Sequence, residues 1–360
     1  MPVKINPSSR HPRQPLPHIE KNPFTVVVER GGAPESEHLV DLAVVDCDGH
    51  VVLAYGDIER TIFPRSAMKP LQAIAVVELL QNLPEKGLFS DAELSLITAS
   101  HNGEEIHVDG VHALLSRFGL DAEQLACGAH WSLDKATGLA QARAMERPSK
   151  AHNNCSGKHA GMLILGHLMD VDLKGYHQIE HPVQQRILGV MEQMSGVDFL
   201  QYPSGVDGCG APALSGPLGN WARGFAVFAN RSMLPDGRAR AIEAIRDGVA
   251  AAPLMIAGTG RCCSAVADVY GSLMTVKTGA EGVYAAAFHD LGLGLLLKVR
   301  DGHNRGAEFA LGAVLHKLGY NDDKRLKSFF KPVLKNWSGD VVGKITLPTP
   351  QSGMNSRSDN

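Results

Sequence analysis

Strand-like sequence in this chain is concentrated near its two ends. "TVVVERGG" and "VDLAVVDCDGHVVLAYGD" lie within residues 25–57, while "GSLMTVKTG", "GVYAAAFH" and "LGLGLLLKVRDG" lie within residues 271–302. Between about residues 66 and 265, apolar residues recur at helical spacing, broken by loops rich in Gly and Pro. Met68, Leu71, Ala75 and Leu79 mark one helix, running to about Gln81. Val108, Val111, Leu115 and Phe118 mark another, with Gly119 at its C-cap. Cys47–His50 reads as a hairpin turn. Strands so distant in sequence bury their apolar faces only by pairing with one another. The pattern therefore predicts an α/β (α+β) fold with a mainly antiparallel sheet, flanked by helices and built from both chain ends around an inserted helix-rich lobe. In residues, this is a flexible arm over 1–22, a single catalytic domain over 23–346 and a disordered tail over 347–360. The sheet lobe takes 23–65 and 266–346, and the helical lobe takes 66–265. A cleft where the lobes meet is the expected place for a small-molecule site.

Composition narrows the function classes. With 44% hydrophobic and 20% charged residues and a net charge of -3, the 360-residue chain is an ordinary globular protein without a basic footprint for nucleic acid or anionic membrane. The N-terminus is rich in Pro and polar residues and lacks the apolar stretch of a signal peptide, and no run approaches the roughly 18 apolar residues of a membrane span. The six cysteines are scattered, with two adjacent, so they outline no disulfide framework. The expected location is the cytoplasm.

Within the helical pattern, "FPRSAMKPLQ" places Ser66 three residues before Lys69. Residues i and i+3 share a helix face, so the lysine is in a position to take the serine's proton. Pro70 is tolerated only in a first turn, which sets the helix start and its partial positive charge near Ser66. S-x-x-K alone decides little, because it also occurs at Ser132–Lys135 and Ser328–Lys331. The first copy differs in its company. "SHN" at Ser100–Asn102 and "KTG" at Lys277–Gly279 follow in the order found in serine penicillin-recognising enzymes. The "SDN" at 358–360 comes after KTG and is set aside. Lys277 would be the second cation that lowers the pKa of Lys69. Backbone N–H groups near Ser66 would stabilise an oxyanion.

A second cluster lies in "AHNNCSGKHAGML", "SGVDGCGAP" and "GRCCSA", which gather cysteines, histidines, Lys158 and Asp207 among glycines. From spacing alone these thiols read as buried structural groups, since no pair shows a recognisable zinc-ligand spacing. No phosphate-binding fingerprint occurs in a strand–turn–helix context, which argues against a nucleotide cofactor.

The blocks "RSAMKPLQ", "TASHNGE", "NNCSGKHAGM", "SGVDGCGAP" and "VKTGAEG", in that order, resemble the rhizobial-type L-asparaginases, a third structural class of that activity. The resemblance runs from about residue 23 to about 340. It implies a serine β-lactamase-like fold, a homodimer, and hydrolysis of L-asparagine to L-aspartate and ammonia. It also implies two Ser–Lys tandems, Ser66 with Lys69 and Ser100 with Lys277. A zinc site, not necessarily essential, is implied at Cys155, Lys158, Asp207 and Cys263. Arg65, Asn102, His159, Cys209 and Glu281 fall inside matching blocks as substrate or supporting residues. The expected chemistry is acyl transfer to water, with Ser66 attacking, Lys69 as base, Ser100 and Lys277 relaying the proton, and the metal anchoring the substrate's α-amino and carboxylate end. Which serine attacks does not follow from sequence. A serine-dependent glutaminase, a β-lactamase or penicillin-binding enzyme, and a non-catalytic zinc-storage or sensor protein are the competing expectations.

Overall fold

The structure is a computed structural model that describes residues 17–348. Its main sheet contains strands from both ends of the chain, in the order Val333–Lys335, Val341–Thr346, Phe24–Arg30, Ala33–Val45, Leu293–Val299, Val283–Phe288 and Met274–Gly279. Every pair in that order is antiparallel. Val51–Tyr55 also pairs with Ala33–Val45, and His18–Glu20 joins it in parallel. The expected arm thus ends in a strand at 18–20; residues 1–16 and 349–360, which include the expected tail beyond 348, lie outside the described residues.

The central strand Leu293–Val299 is buried at six of its seven positions, because helices cover both faces of the sheet. On one face the helix Leu218–Ala229 lies directly on it. A Cβ added at Gly294 would fall 2.1 Å from the Ala226 nitrogen, so only glycine permits this approach. On the other face Gly306, in helix Asn304–Lys317, abuts His38.

The inserted middle is helical, as the periodicity predicts. Its axis is helix Lys69–Leu80, of which ten positions, Lys69 and Gln72 among them, are buried by surrounding helices. A helix apolar on nearly all sides belongs in the centre of a bundle. Ser66 precedes this helix in a 3-10 turn, Arg65–Met68. Pro70, in the first turn of the α-helix, lacks the N–H that an earlier start would require. The second predicted helix spans Glu105–Arg117, followed by Gly119 with φ 69°. No helix among the described residues is long and apolar enough to cross a membrane.

Register fixes which side chains face the helical lobe. Lys277 stands opposite Ala285, and Ala285 opposite Leu296, so these residues share a sheet face. Gly294 lies on that same face, two residues from Leu296, and meets helix Leu218–Ala229. Lys277 therefore points from the sheet into the seam with the helical lobe.

Candidate active site

Three segments converge at the seam. The Lys277 strand supplies one amine, the first turn of helix Lys69–Leu80 supplies another, and the loop after helix Asp91–Ile97 brings Ser100 between them. Lys277 Nζ donates to Ser100 Oγ at 2.8 Å and to the Thr278 carbonyl at 2.8 Å. Lys69 Nζ donates to Ser100 Oγ at 3.0 Å and also to the carbonyls of Ala99 and Asn154. Ser100 is 4% exposed, and its backbone N–H is anchored on the Ile256 carbonyl at 3.0 Å. One hydroxyl is thus gripped by both amines.

The sequence pairs Lys69 with Ser66, but the Lys69 amine makes its contacts with Ser100, Ala99 and Asn154 instead. Ser66 is half-buried in the preceding turn, where helix geometry leaves the first N–H groups without intrahelical acceptors. The KTG strand packs on this turn: a Cβ at Gly279 would lie 2.3 Å from the Pro64 carbonyl oxygen and 3.2 Å from the Ala67 nitrogen.

Burial is the main influence on both lysines. It pushes the Lys277 ammonium down to about 7; Cys263 opposes this, while the positive charges of Lys69 and Arg261 add to it. Burial also lowers Lys69, with Cys155 opposing and Lys158 adding. Lys277, lowered to about 7, can hold a lone pair near neutral pH.

The sulfur cluster forms beside Lys69. Cys155, Asp207 and Cys209 offer ligand atoms all within 4.8 Å of one another, and Lys158 Nζ donates to Cys209 Sγ at 3.0 Å. The structure does not bring all four expected ligand residues together. Cys263 lies elsewhere, its sulfur accepting the Thr278 N–H at 3.3 Å, and Cys209 stands with the other three residues. The reason is local. Between the short strands Ser204–Val206 and Pro212–Leu214 the chain makes a tight turn, with Gly210 N–H bonded to the Asp207 carbonyl at 2.8 Å. That turn sets Asp207 and Cys209 side by side, and the D-x-C spacing was the sequence signal for it.

The neighbouring Cys209, with the Lys69 and Lys158 charges, holds the Cys155 thiol well below its ordinary range against the effect of burial. Burial opposes the Lys158 charge, but Cys209 and Cys155 outweigh it and hold the ammonium above its usual range. Arg65 binds Asp207 and keeps its carboxyl ionised against the effect of burial.

The other named residues separate by role. The Asn102 side-chain amide is fully engaged: Nδ2 donates to Glu104 Oε1 and the Thr259 carbonyl, both at 3.1 Å, and Oδ1 accepts from Arg261 at 2.6 Å. Asn102 thus ties the Ser100 loop to residues 257–261. His159 is buried, with Nδ1 2.7 Å from the Tyr176 hydroxyl and Nε2 without a partner. Glu281 is exposed in a left-handed turn two residues after Gly279. Sequence reading passed over Glu104 and Arg261 in this clasp, and Asn154, whose carbonyl meets Lys69.

A putative β-lactamase from Bacteroides dorei is similar in structure, at 13% sequence identity and TM-score 0.41, covering 83% of this chain and 94% of that one. The octameric penicillin-binding protein homologue from Pyrococcus abyssi is similar at 14% identity and TM-score 0.44, covering 81% of this chain and 76% of its own. No curated protein sequence matches the chain. The profile of one family, L-asparaginase II, matches residues 26–347, which take in both serines, both lysines and the whole sulfur cluster. The chain belongs to the L-asparaginase II family, whose members are asparaginase-type amidohydrolases.

Proposed function

We propose that the chain hydrolyses L-asparagine to L-aspartate and ammonia through an acyl-enzyme formed on a serine. The observation that carries this reading is the Ser100 hydroxyl held between the amines of Lys69 and Lys277. As ammonium ions both amines donate to Ser100; once one is neutral, it accepts the Ser100 O–H and frees an oxygen lone pair for the Ser66 proton. Ser66, half-buried at the head of the Lys69 helix, is the nucleophile. Its oxygen attacks the side-chain amide carbon, and its proton passes through Ser100 to the neutral amine of Lys277 or Lys69. The carbonyl oxygen, now negative, is stabilised by N–H groups at the start of that helix. The amide C–N bond then breaks, the nitrogen takes the proton held on lysine, and ammonia leaves. Water attacks the aspartyl ester, the same amines accept its proton, and Ser66 is regenerated.

Two sulfurs, a carboxylate and an amine suit zinc, so Cys155, Cys209, Asp207 and Lys158 would hold such an ion. Lys158 must lose its proton to bind, so loading releases protons and strengthens with pH. The ion would offset the charge of the two thiolates and fix the positions of the cluster's side chains beside Lys69. A homodimer in the cytoplasm belongs to the same reading.

The test is ammonia release from asparagine and glutamine, with and without zinc. Asparagine is expected to be preferred, and both Ser66→Ala and Ser100→Ala are expected to lose about a thousandfold or more. A mass increase trapped on the peptide carrying Ser66 identifies the nucleophile, and a label on Ser100 exchanges the two roles. No ammonia from either amide would sink the proposal.

A further inference from the structure

Beside the Ser66 turn lies a cavity of about 400 Å³, lined among others by Phe63, Arg65, Val206, Glu281 and Lys298. Lys298 belongs to none of the sequence motifs. It is the one charged side chain in the strand Leu293–Val299, and it stands opposite Val283, which in turn stands opposite Gly279. Directly paired residues point to the same side of a sheet, so this row faces the Ser66 turn that packs against Gly279. Two strand spacings, roughly 10 Å, separate Lys298 from Gly279 along the row.

The cations of this cavity differ in how they are paired. Arg60, also in the wall, binds Asp41 at 3.1 Å, and Arg65 binds Asp207. Lys298 Nζ donates to the Glu281 backbone carbonyl, and among the described residues it has no carboxylate within ion-pair distance. A half-buried ammonium with free donors and no direct ion pair suits an anionic group from outside the fold. Backbone strain gathers at the same place. Arg65 and Glu281, with φ of 53° and 62°, are two of the three non-glycine residues in left-handed conformation among the described residues. Such conformations persist where the surroundings impose them, and ligand clamps are one such setting.

We propose that this cavity holds the α-amino-acid end of the substrate, with Lys298 donating to its carboxylate and Glu281, the acidic side chain in the wall, facing its ammonium. The assignment rests on the amidohydrolase reading above and gives it a specificity determinant. It also replaces the expectation that a metal anchors that end of the substrate. In this arrangement Arg65 has a positioning part: its bond to Asp207 links the cavity wall to the sulfur cluster.

The experiment compares L-asparagine with L-asparaginamide, in which the α-carboxylate is replaced by a neutral amide, in the full-length wild type and in Lys298→Met. The wild type is expected to favour asparagine. In Lys298→Met the ratio of kcat/KM values should fall by about tenfold or more, the scale of one lost charge-assisted hydrogen bond, mainly through a higher KM for asparagine. Lys298→Arg should restore much of the ratio. Because the ratio is taken within one preparation, a partly unfolded variant leaves it intact, and Lys298→Gln provides a second reading. If the wild type cleaves neither compound, the amidohydrolase reading itself fails. If it cleaves asparagine and Lys298→Met keeps the wild-type ratio, the Lys298 assignment alone is overturned.

Discussion

Ser100 sits where two amines compete for one hydroxyl, and this arrangement makes activity depend on pH. Lys277 must be neutral to accept a proton, and its folded pKa is pushed down to about 7. kcat/KM for the preferred amide should therefore rise through about pH 7 and level off above it, and a rate falling over that interval would remove lysine as the base. The sulfur cluster yields a second expectation. If the proposed zinc site is right, Cys209→Ser should lose zinc that Cys263→Ser keeps, as read by metal analysis of the purified proteins, because Cys209 lies within the cluster and Cys263 does not. The residue types at the site were legible from three motifs in order. The Ser100–Lys277 contact was expected, but that of Lys69 with Ser100 in place of Ser66 was not, because i,i+3 proximity assumes continuous α-helix, whereas Ser66 occupies a 3-10 turn and Lys69 opens the helix proper. The exchange of Cys209 for Cys263 has a different origin: the D-x-C spacing marks the turn, but not that the turn lies against Cys155 and Lys158.

Elements are held at close quarters by glycines that tolerate no side chain. Gly279→Ala would drive a methyl into the Pro64 carbonyl and displace the Ser66 turn from the sheet. Activity is expected to fall by about a hundredfold, the scale of a misplaced reacting group, with a smaller effect on unfolding. Gly294→Ala acts elsewhere, pushing helix Leu218–Ala229 off the central strand, so it should show mainly as lost stability of about 2 kcal/mol in denaturant titration. Periodicity revealed helices Lys69–Leu80 and Glu105–Arg117, and strand-like runs marked the early and late strands. It left Val333–Lys335 and Val341–Thr346 unassigned, since both are short, largely exposed strands at the sheet margin with little apolar pattern to read.

For the molecule as a whole, burying two lysines against their charge makes stability depend on pH. Between a folded pKa near 7 for Lys277 and the ordinary unfolded value of about 10.4, the unfolded chain binds more protons, so this group makes the fold more stable as pH rises across that window. Lys69 acts in the same direction. Thermal unfolding of Lys277→Met should show a smaller gain between pH 7 and pH 9 than the wild type, and an equal gain would mean that Lys277 is not buried as described. The overall plan was readable from sequence because strand-like runs at both ends have to meet. The placement of Lys298 was not, because its meaning depends on which residues stand beside it two strands away.

A sheet whose neighbours come from opposite ends of the chain also governs when the protein can work. During synthesis Ser66 and Ser100 leave the ribosome long before Lys277 and the strands that seat it. Until Met274–Gly279 and Leu293–Val299 pair into place, Ser100 has one amine instead of two and the proposed carboxylate anchor is missing. The reaction centre is therefore assembled only when these strands pair, while Val333–Lys335 and Val341–Thr346, the last to emerge, extend the opposite side of the sheet and add nothing to it.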